Sequence, residues 1–290
     1  MENSDYLKNL NENQLEAVKT IDGPVMVFAG AGTGKTRTLI SRIVYMIKEC
    51  NIQPYHILAI TFTKKATNEM RERLEKQIEN KAKFVHISTI HSLCANILRR
   101  NATYLDYGRN FEVIDEEDQV KILNEIYKKS EINRRVLSPK VAIKAIGDFK
   151  NKSCLELVGL LKTVYNEYQT FLKENNMMDF EDLLVLTYQL FKENPNILEY
   201  YQDEFKYILV DELQDTNVVQ YDIINLLCQK YENIFAVGDD DQSIYSFRGA
   251  KIENIKKVYS HPQALKQCSG FLKKSGFEPV ESKNTATAAK

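Results

Sequence analysis

Short apolar runs alternate along this chain with segments whose apolar residues recur at helical spacing. The runs are Val25–Phe28, Ile57–Phe62, Val85–Thr89, Tyr207–Val210 and Ile234–Val237. Their length and their β-branched and aromatic content predict strands buried on both faces, and the helical patterns between them predict crossovers. That order predicts an α/β fold, a parallel sheet flanked by helices. Each run is followed by polar or glycine-containing sequence, where a ligand loop sits at the carboxyl end of a strand. Between the third and fourth runs lies a long stretch of helical character. Asp115 caps a helix carrying Val120, Leu123, Ile126 and Tyr127 on one face, and Ser138-Pro139 is a cap followed by proline at the first helical position. The pattern predicts a helical insertion over 105–178, with the sheet domain resuming near Asp179-Phe180-Glu181-Asp182. The Ala/Thr/Lys-rich end, Lys283–Lys290, reads as frayed.

Composition narrows the picture modestly. The 290 residues are 43% hydrophobic and 27% charged, with a formal net charge of −1, so no global basic field announces nucleic acid. A local groove remains open, because net charge says little about patches. Cys50, Cys94, Cys154, Cys228 and Cys268 are scattered without a Cys-x-x-Cys pair, which argues against a zinc site or disulfide framework and fits a reducing compartment. The polar start Met1-Glu2-Asn3-Ser4-Asp5 is unlike a signal peptide, and no apolar run reaches the roughly 18 residues of a membrane span. The expected address is cytoplasmic, with no membrane partner.

The first strand runs directly into Ala29-Gly30-Ala31-Gly32-Thr33-Gly34-Lys35-Thr36-Arg37. Strand, glycine-rich turn, Lys-Thr pair and helix start follow in the order a phosphate-binding loop requires. Gly32 and Gly34 let the backbone turn its N–H groups toward a phosphate chain. The helix from Lys35 adds its positive dipole end. Lys35 reaches β/γ-phosphates and the Thr36 hydroxyl can ligate Mg²⁺. One departure from the general pattern is Ala29 at its first position, where glycine is usual.

The fourth strand ends in Asp211-Glu212. Alone, a strand ending in solvated acids is common. Behind a phosphate loop the pair becomes a candidate for holding Mg²⁺ through Asp211 and polarising a water through Glu212. That reading expects the loop strand and the acid strand to lie side by side. The fifth strand repeats the plan with Gly238-Asp239-Asp240-Asp241-Gln242, where Gln242 is placed to sense a γ-phosphate; a merely solvated acidic turn is the competing reading. Tyr245, Phe247 and Arg248 follow and suit base stacking and phosphate contact on a single strand, unless the two aromatics belong to the core.

These motifs together resemble the N-terminal part of superfamily 1 DNA helicases of the UvrD/Rep/PcrA type, over roughly residues 5–257. Leu10-Asn11 with Gln14 and Ala17 resembles the Q motif, whose glutamine reads the adenine edge. Ala29–Thr36 matches the family's own form of the loop, which accounts for the alanine. Thr61-Phe62-Thr63-Lys64-Lys65-Ala66 resembles motif Ia and Thr89-Ile90-His91-Ser92 motif Ib, both of which contact single-stranded DNA in the family. Val210–Thr216 resembles motif II, with Leu213 where phenylalanine is usual. Gly238–Gly249 resembles motif III, with Phe247 where tryptophan is frequent. The resemblance implies a RecA-like ATP-binding domain over 1–104 and 179–257 with the helical insertion over 105–178. It implies ATP and Mg²⁺ as ligands and single-stranded or partly duplex DNA as partner. The implied activity is ATP-driven 3′-to-5′ unwinding, with Lys35, Asp211, Glu212 and Gln242 in catalysis.

The resemblance ends near residue 257. The family's second motor domain, with its Asn-Tyr-Arg-Ser-type and later arginine motifs, has no counterpart in the residues that follow. The expectation is therefore a chain deficient in unwinding, or at the limit a catalytically silent module that holds ATP and single-stranded DNA. Residues 258–290, from Val258-Tyr259-Ser260-His261-Pro262 onward, resemble instead an internal stretch of prephenate dehydratase without that family's Thr-Arg-Phe motif. A splice, frameshift or assembly error at about 256–258 accounts for such a junction, with a coincidental helical tail as the competing reading. The expectation for this tail is poor packing.

Overall fold

A computed structural model describes residues 6–28, 30 and 33–238 of the chain. Five strands form one parallel sheet: β1 (Val25–Phe28), β2 (Ile57–Thr61), β3 (His86–Thr89), β6 (Tyr207–Val210) and β7 (Ile234–Gly238). Their order across the sheet is β1-β7-β6-β2-β3. The register pairs Val25 with Phe235, Ile208 with Ile234, Ile57 with Tyr207 and Leu58 with His86. Each predicted strand is present. The second stops at Thr61 rather than Phe62, because Thr63 caps the helix α3 (Lys64–Ile78) and the chain must turn before it.

Alternate residues of each strand enter different cores, as the two-residue period of a strand requires. Val25, Val27, Ile57, Ala59, Leu209, Phe235 and Val237 pack with α2 (Lys35–Lys48) and α3. Met26, Leu58, Ile60, Ile208, Val210, Ile234 and Ala236 pack on the other face. There they meet α4 (Ile90–Asn101), α8 (Phe180–Glu193), α9 (Pro195–Glu204) and α10 (Val218–Cys228). With both faces covered, the strands read as continuous apolar runs.

A third apolar cluster joins α5 (Glu116–Lys129), α6 (Pro139–Lys150) and α7 (Gly159–Glu174). Asp115 accepts from the N–H of Asp118 and Ser138 from that of Val141, so both predicted caps are formed. Helix α5 turns Ile122 and Gln119 inward beside Leu123, Ile126 and Tyr127, and leaves Val120 only half-buried. The stretch also carries two short strands, β4 (Glu112–Val113) and β5 (Met177–Met178), paired in parallel where the chain enters and leaves the cluster. Leu105, Tyr107, Phe111 and Met178 pack with the main sheet instead.

Candidate active site

The glycine-rich loop leaves β1 and ends at Gly34, which caps α2 in the left-handed region at φ 90°. A side chain there would be strained, which is why glycine precedes Lys35. No side chain caps this helix start, so it is open to an anion. Within the loop, Thr33 folds back, its hydroxyl donating to the Gly30 carbonyl at 2.7 Å. Thr36 and Arg37 lie in the first turn of α2, Thr36 half-buried and Arg37 exposed. Ala29, Ala31 and Gly32 lie outside the described residues.

Two elements converge on this loop. Helix α1 (Glu12–Lys19) begins with a capping box, in which Gln14 accepts from the Asn11 N–H at 3.0 Å and donates from its backbone to the Asn11 side chain. The Gln14 side-chain amide donates to the Thr33 carbonyl at 2.9 Å. Both ends of this amide are thus engaged, one on its own helix and one on the loop.

The other element is the tip of β6. Asp211 continues the ladder, its N–H donating to Ile60 at 2.9 Å. Glu212 then adopts the left-handed conformation at φ 50°, a strain of about 1–2 kcal/mol. The flip turns its carboxylate to the loop, where Lys35 Nζ lies 3.0 Å from Glu212 Oε2. Gln214 donates to the same oxygen at 2.6 Å. Asp211 is buried, and its Oδ1 has no hydrogen-bond partner. Burial first, and the neighbouring Glu212 second, push its carboxyl up to about 6. An orphaned, desolvated carboxylate oxygen beside a second carboxylate is the environment a divalent cation relieves.

The sheet order corrects one expectation. β1 and β6 are not neighbours; β7 lies between them. The loop and the acids meet because Lys35 reaches across the tip of β7. Gly238 ends that strand, and a Cβ there would stand 3.1 Å from Gln214 Oε1 and 3.3 Å from Met26 Cε. A side chain at the tip would therefore require Gln214 and Met26 to give by a few tenths of an ångström.

The expected DNA-facing residues divide into two kinds. Phe62 is 43% exposed beyond the end of β2, and Lys64 is exposed at the start of α3. The Thr61 side chain is buried, its hydroxyl 2.6 Å from that of Thr67. Thr63 and Thr89 spend their hydroxyls capping α3 and α4, Thr89 also donating to the Ser92 hydroxyl at 2.9 Å. The His91 ring lies 5.4 Å from that of Phe180, and burial holds its pKa below the ordinary value. Phe180, 51% exposed, was not singled out from the sequence; its place directly after the Asp179 cap was the available signal. Gln242, Tyr245, Phe247 and Arg248 lie outside the described residues, as does the tail from 258. Among the described residues no helix is long and apolar enough to cross a membrane.

Comparison with known proteins agrees with this geometry. The family model described as UvrD/REP helicase N-terminal domain matches residues 10–263. A prephenate dehydratase model matches residues 239–290, so the two matches overlap over 239–263, which includes nearly all of the segment resembling motif III. Curated relatives named ATP-dependent DNA helicase PcrA, from Staphylococcus aureus and Staphylococcus epidermidis, are each 44% identical over 259 residues. The alignments cover 86% of this chain and 36% of each relative, so the chain spans little more than a third of their length. A loop, an acid pair and a sheet that meet in this way, within a match over most of the chain, place it in the UvrD/REP helicase N-terminal domain family.

Proposed function

We propose that this chain is the ATP-binding part of a 3′-to-5′ DNA helicase or translocase, hydrolysing ATP on single-stranded DNA. The observation that carries the reading is the 3.0 Å contact between Lys35 and Glu212, which joins the phosphate loop to the acid strand across β7. In the proposed site the triphosphate lies on the loop at the start of α2 and draws Lys35 away from Glu212. The freed carboxylate then accepts a proton from the water that attacks the γ-phosphorus, while the bond from that phosphorus to the β,γ-bridging oxygen breaks and ADP leaves. Asp211 and the Thr36 hydroxyl would hold Mg²⁺, which when bound neutralises phosphate charge. Gln14 would exchange its contact with Thr33 for the adenine edge, and Gln242 would sense the γ-phosphate. Phe62, Lys64, His91 and Ser92, continued by Tyr245, Phe247 and Arg248, would meet the DNA, with Thr61, Thr63 and Thr89 holding the loops that present them.

The ATP-binding domain in this reading comprises 1–104 and 179–257, the helices of 105–178 form an insertion, and 258–290 stands apart as a dehydratase-like tail. A DNA substrate goes with a cytoplasmic address, and the four described cysteines are all free. The test is calorimetric titration of Mg-ATP into the wild type and Lys35→Ala, followed by phosphate release with and without single-stranded DNA. Binding is expected to be lost in Lys35→Ala and turnover to rise with DNA in the wild type. Equal ATP affinity in both proteins would refute the loop as the site.

A further inference from the structure

The sequence leaves Arg42 unremarked, as one basic residue in the middle of α2. In the structure its side chain is 2% exposed. Its guanidinium donates to the carbonyls of Ala17 at 2.6 Å, of Ile21 at 3.0 Å, and of Thr20. It also lies over the ring of Phe235, 4.4 Å from the centroid. The three acceptors surround the end of α1. A helix leaves its last carbonyls unpaired, and its negative dipole end favours a cation there. A planar fork with several donors meets these carbonyls and stacks on the aromatic face in one geometry, which suits a guanidinium better than a compact ammonium. Burial lowers the guanidinium pKa to about 9 while Asp22 opposes the shift through space, so it stays charged near neutrality.

The elements joined are those that carry the two ends of the nucleotide site. Helix α1 bears Gln14. Helix α2 begins with Lys35 and Thr36, about 10 Å along its axis from Arg42. Phe235 belongs to β7, the strand between the loop strand and the acid strand. A second tie in the same place, the Ser41 hydroxyl donating to the Tyr6 carbonyl at 2.9 Å, anchors the chain before α1.

We propose that Arg42 is a positioning residue that fixes the Gln14 helix at a set distance from the phosphate end of α2, and thereby sets the preference of the site for adenine nucleotides. This inference rests on the ATP reading above. It concerns a residue that touches neither base nor phosphate. Loosening α1 should cost the contacts of Gln14 with the base and leave those of the loop with the phosphates.

The experiment titrates Mg-ATP and Mg-GTP into the full 290-residue chain as wild type, Arg42→Lys, Gln14→Ala and the double variant. In Arg42→Lys, ATP affinity is expected to fall about fivefold to tenfold, the scale of one net hydrogen bond. GTP affinity should change less than about twofold on the same reasoning, since phosphate contacts are kept. Gln14→Ala should lower the ATP/GTP ratio similarly, and the double variant should lower it no further, because both changes remove one interaction. Phe235→Leu keeps the donors and removes the ring; it should shift the ratio in the same direction by a smaller factor, and it serves if Arg42→Lys does not fold. Equal losses for ATP and GTP, or additive losses in the double variant, would overturn the inference and leave Arg42 as a general prop. An ATP preference retained in both Arg42→Lys and Phe235→Leu would overturn it alone. A wild type that binds ATP without preference over GTP would overturn it together with the base-reading role of Gln14, whereas no ATP binding at all would overturn the site reading itself.

Discussion

Replacing Lys150 by methionine tests how the helices of 105–178 are held to the sheet. Lys150 ends α6, and its ammonium lies 2.6 Å from Asp179 Oδ2 and 2.7 Å from Asp182 Oδ1, with all three side chains 2–4% exposed. The remaining carboxylate oxygens are also met. Asp179 accepts from the Tyr168 hydroxyl at 3.1 Å and the Asp182 N–H at 2.8 Å, and Asp182 accepts from the Asp179 N–H at 3.2 Å. One cation serves two buried carboxylates, and burial pushes the Asp182 carboxyl up to about 7 in spite of the lysine. Methionine fills the volume and removes the charge. Breaking a buried pair by deleting one partner costs about 3–5 kcal/mol, because the uncompensated charge stays behind. Here the cost depends on pH. A carboxyl raised in the folded state favours the fold below its ordinary value and loses that contribution as pH rises through the raised one. The variant should therefore lose about 4 kcal/mol at pH 8. At pH 5.5 the Asp182 carboxyl is already protonated in the folded wild type, so deleting the ammonium leaves one uncompensated carboxylate rather than two, and the loss should be roughly half, about 2 kcal/mol. Urea unfolding of wild type and variant at the two pH values reads both numbers. A loss equal at both pH values, or below about 1 kcal/mol at pH 8, would refute the buried-charge account.

Gly34→Ala places a Cβ at φ 90° and 3.6 Å from the Gln14 amide nitrogen; it should cost about 1–2 kcal/mol in thermal unfolding and weaken ATP binding along with it. Gly238→Ala puts a methyl 3.1 Å from Gln214 Oε1 and should uncouple Gln214 from Glu212, lowering ATP turnover about tenfold, the worth of roughly 1.4 kcal/mol at the barrier; steady-state phosphate release at wild-type rate would show that the contact is incidental. Ser138→Ala removes the cap of α6 and should cost about 1 kcal/mol, visible as faster amide exchange in that helix, with unchanged exchange counting against the cap.

What the sequence revealed follows the range over which its signals act. Strands buried on both faces declare themselves through local apolar runs, and Val25–Phe28 and Tyr207–Val210 begin and end where the pattern puts them. Phe62 extended the second run by its hydrophobicity, but the Thr63 cap decided the turn. The two-residue strands β4 and β5 are too short to carry a period. Lateral order in the sheet is a property of contacts far apart in sequence, so β7 between β1 and β6 was not legible. Buried charge hides for the same reason: Lys150 and Arg42 look like solvated positions of amphipathic helices until Asp179 and the end of α1 are brought to them. Thr61 hides in the opposite sense, a polar residue whose inward turn to Thr67 no local pattern announces.

The strand order has a consequence for the site. Neighbouring strands of a sheet lie about 4.8 Å apart, so β1 and β6, separated by β7, stand roughly 10 Å apart at their tips. Adjacent strands would bring the loop and the acid pair one strand spacing apart. At two strand spacings, two extended side chains are needed to close the gap, and Lys35 with Glu212 does so. The pair thus measures the space a triphosphate would fill. It also explains the glycine at the end of β7. The floor of the gap is the tip of that middle strand, and Gly238 keeps it low enough for Gln214 to lie across it toward Glu212. The chain leaves the floor at this same glycine and runs on into residues 239–249, so the segment resembling motif III begins at the point where loop and acids converge. In this arrangement a change in what occupies the gap acts on the middle strand from both sides. On the proposed function, the Gly238→Ala variant tests this route as well as the contact.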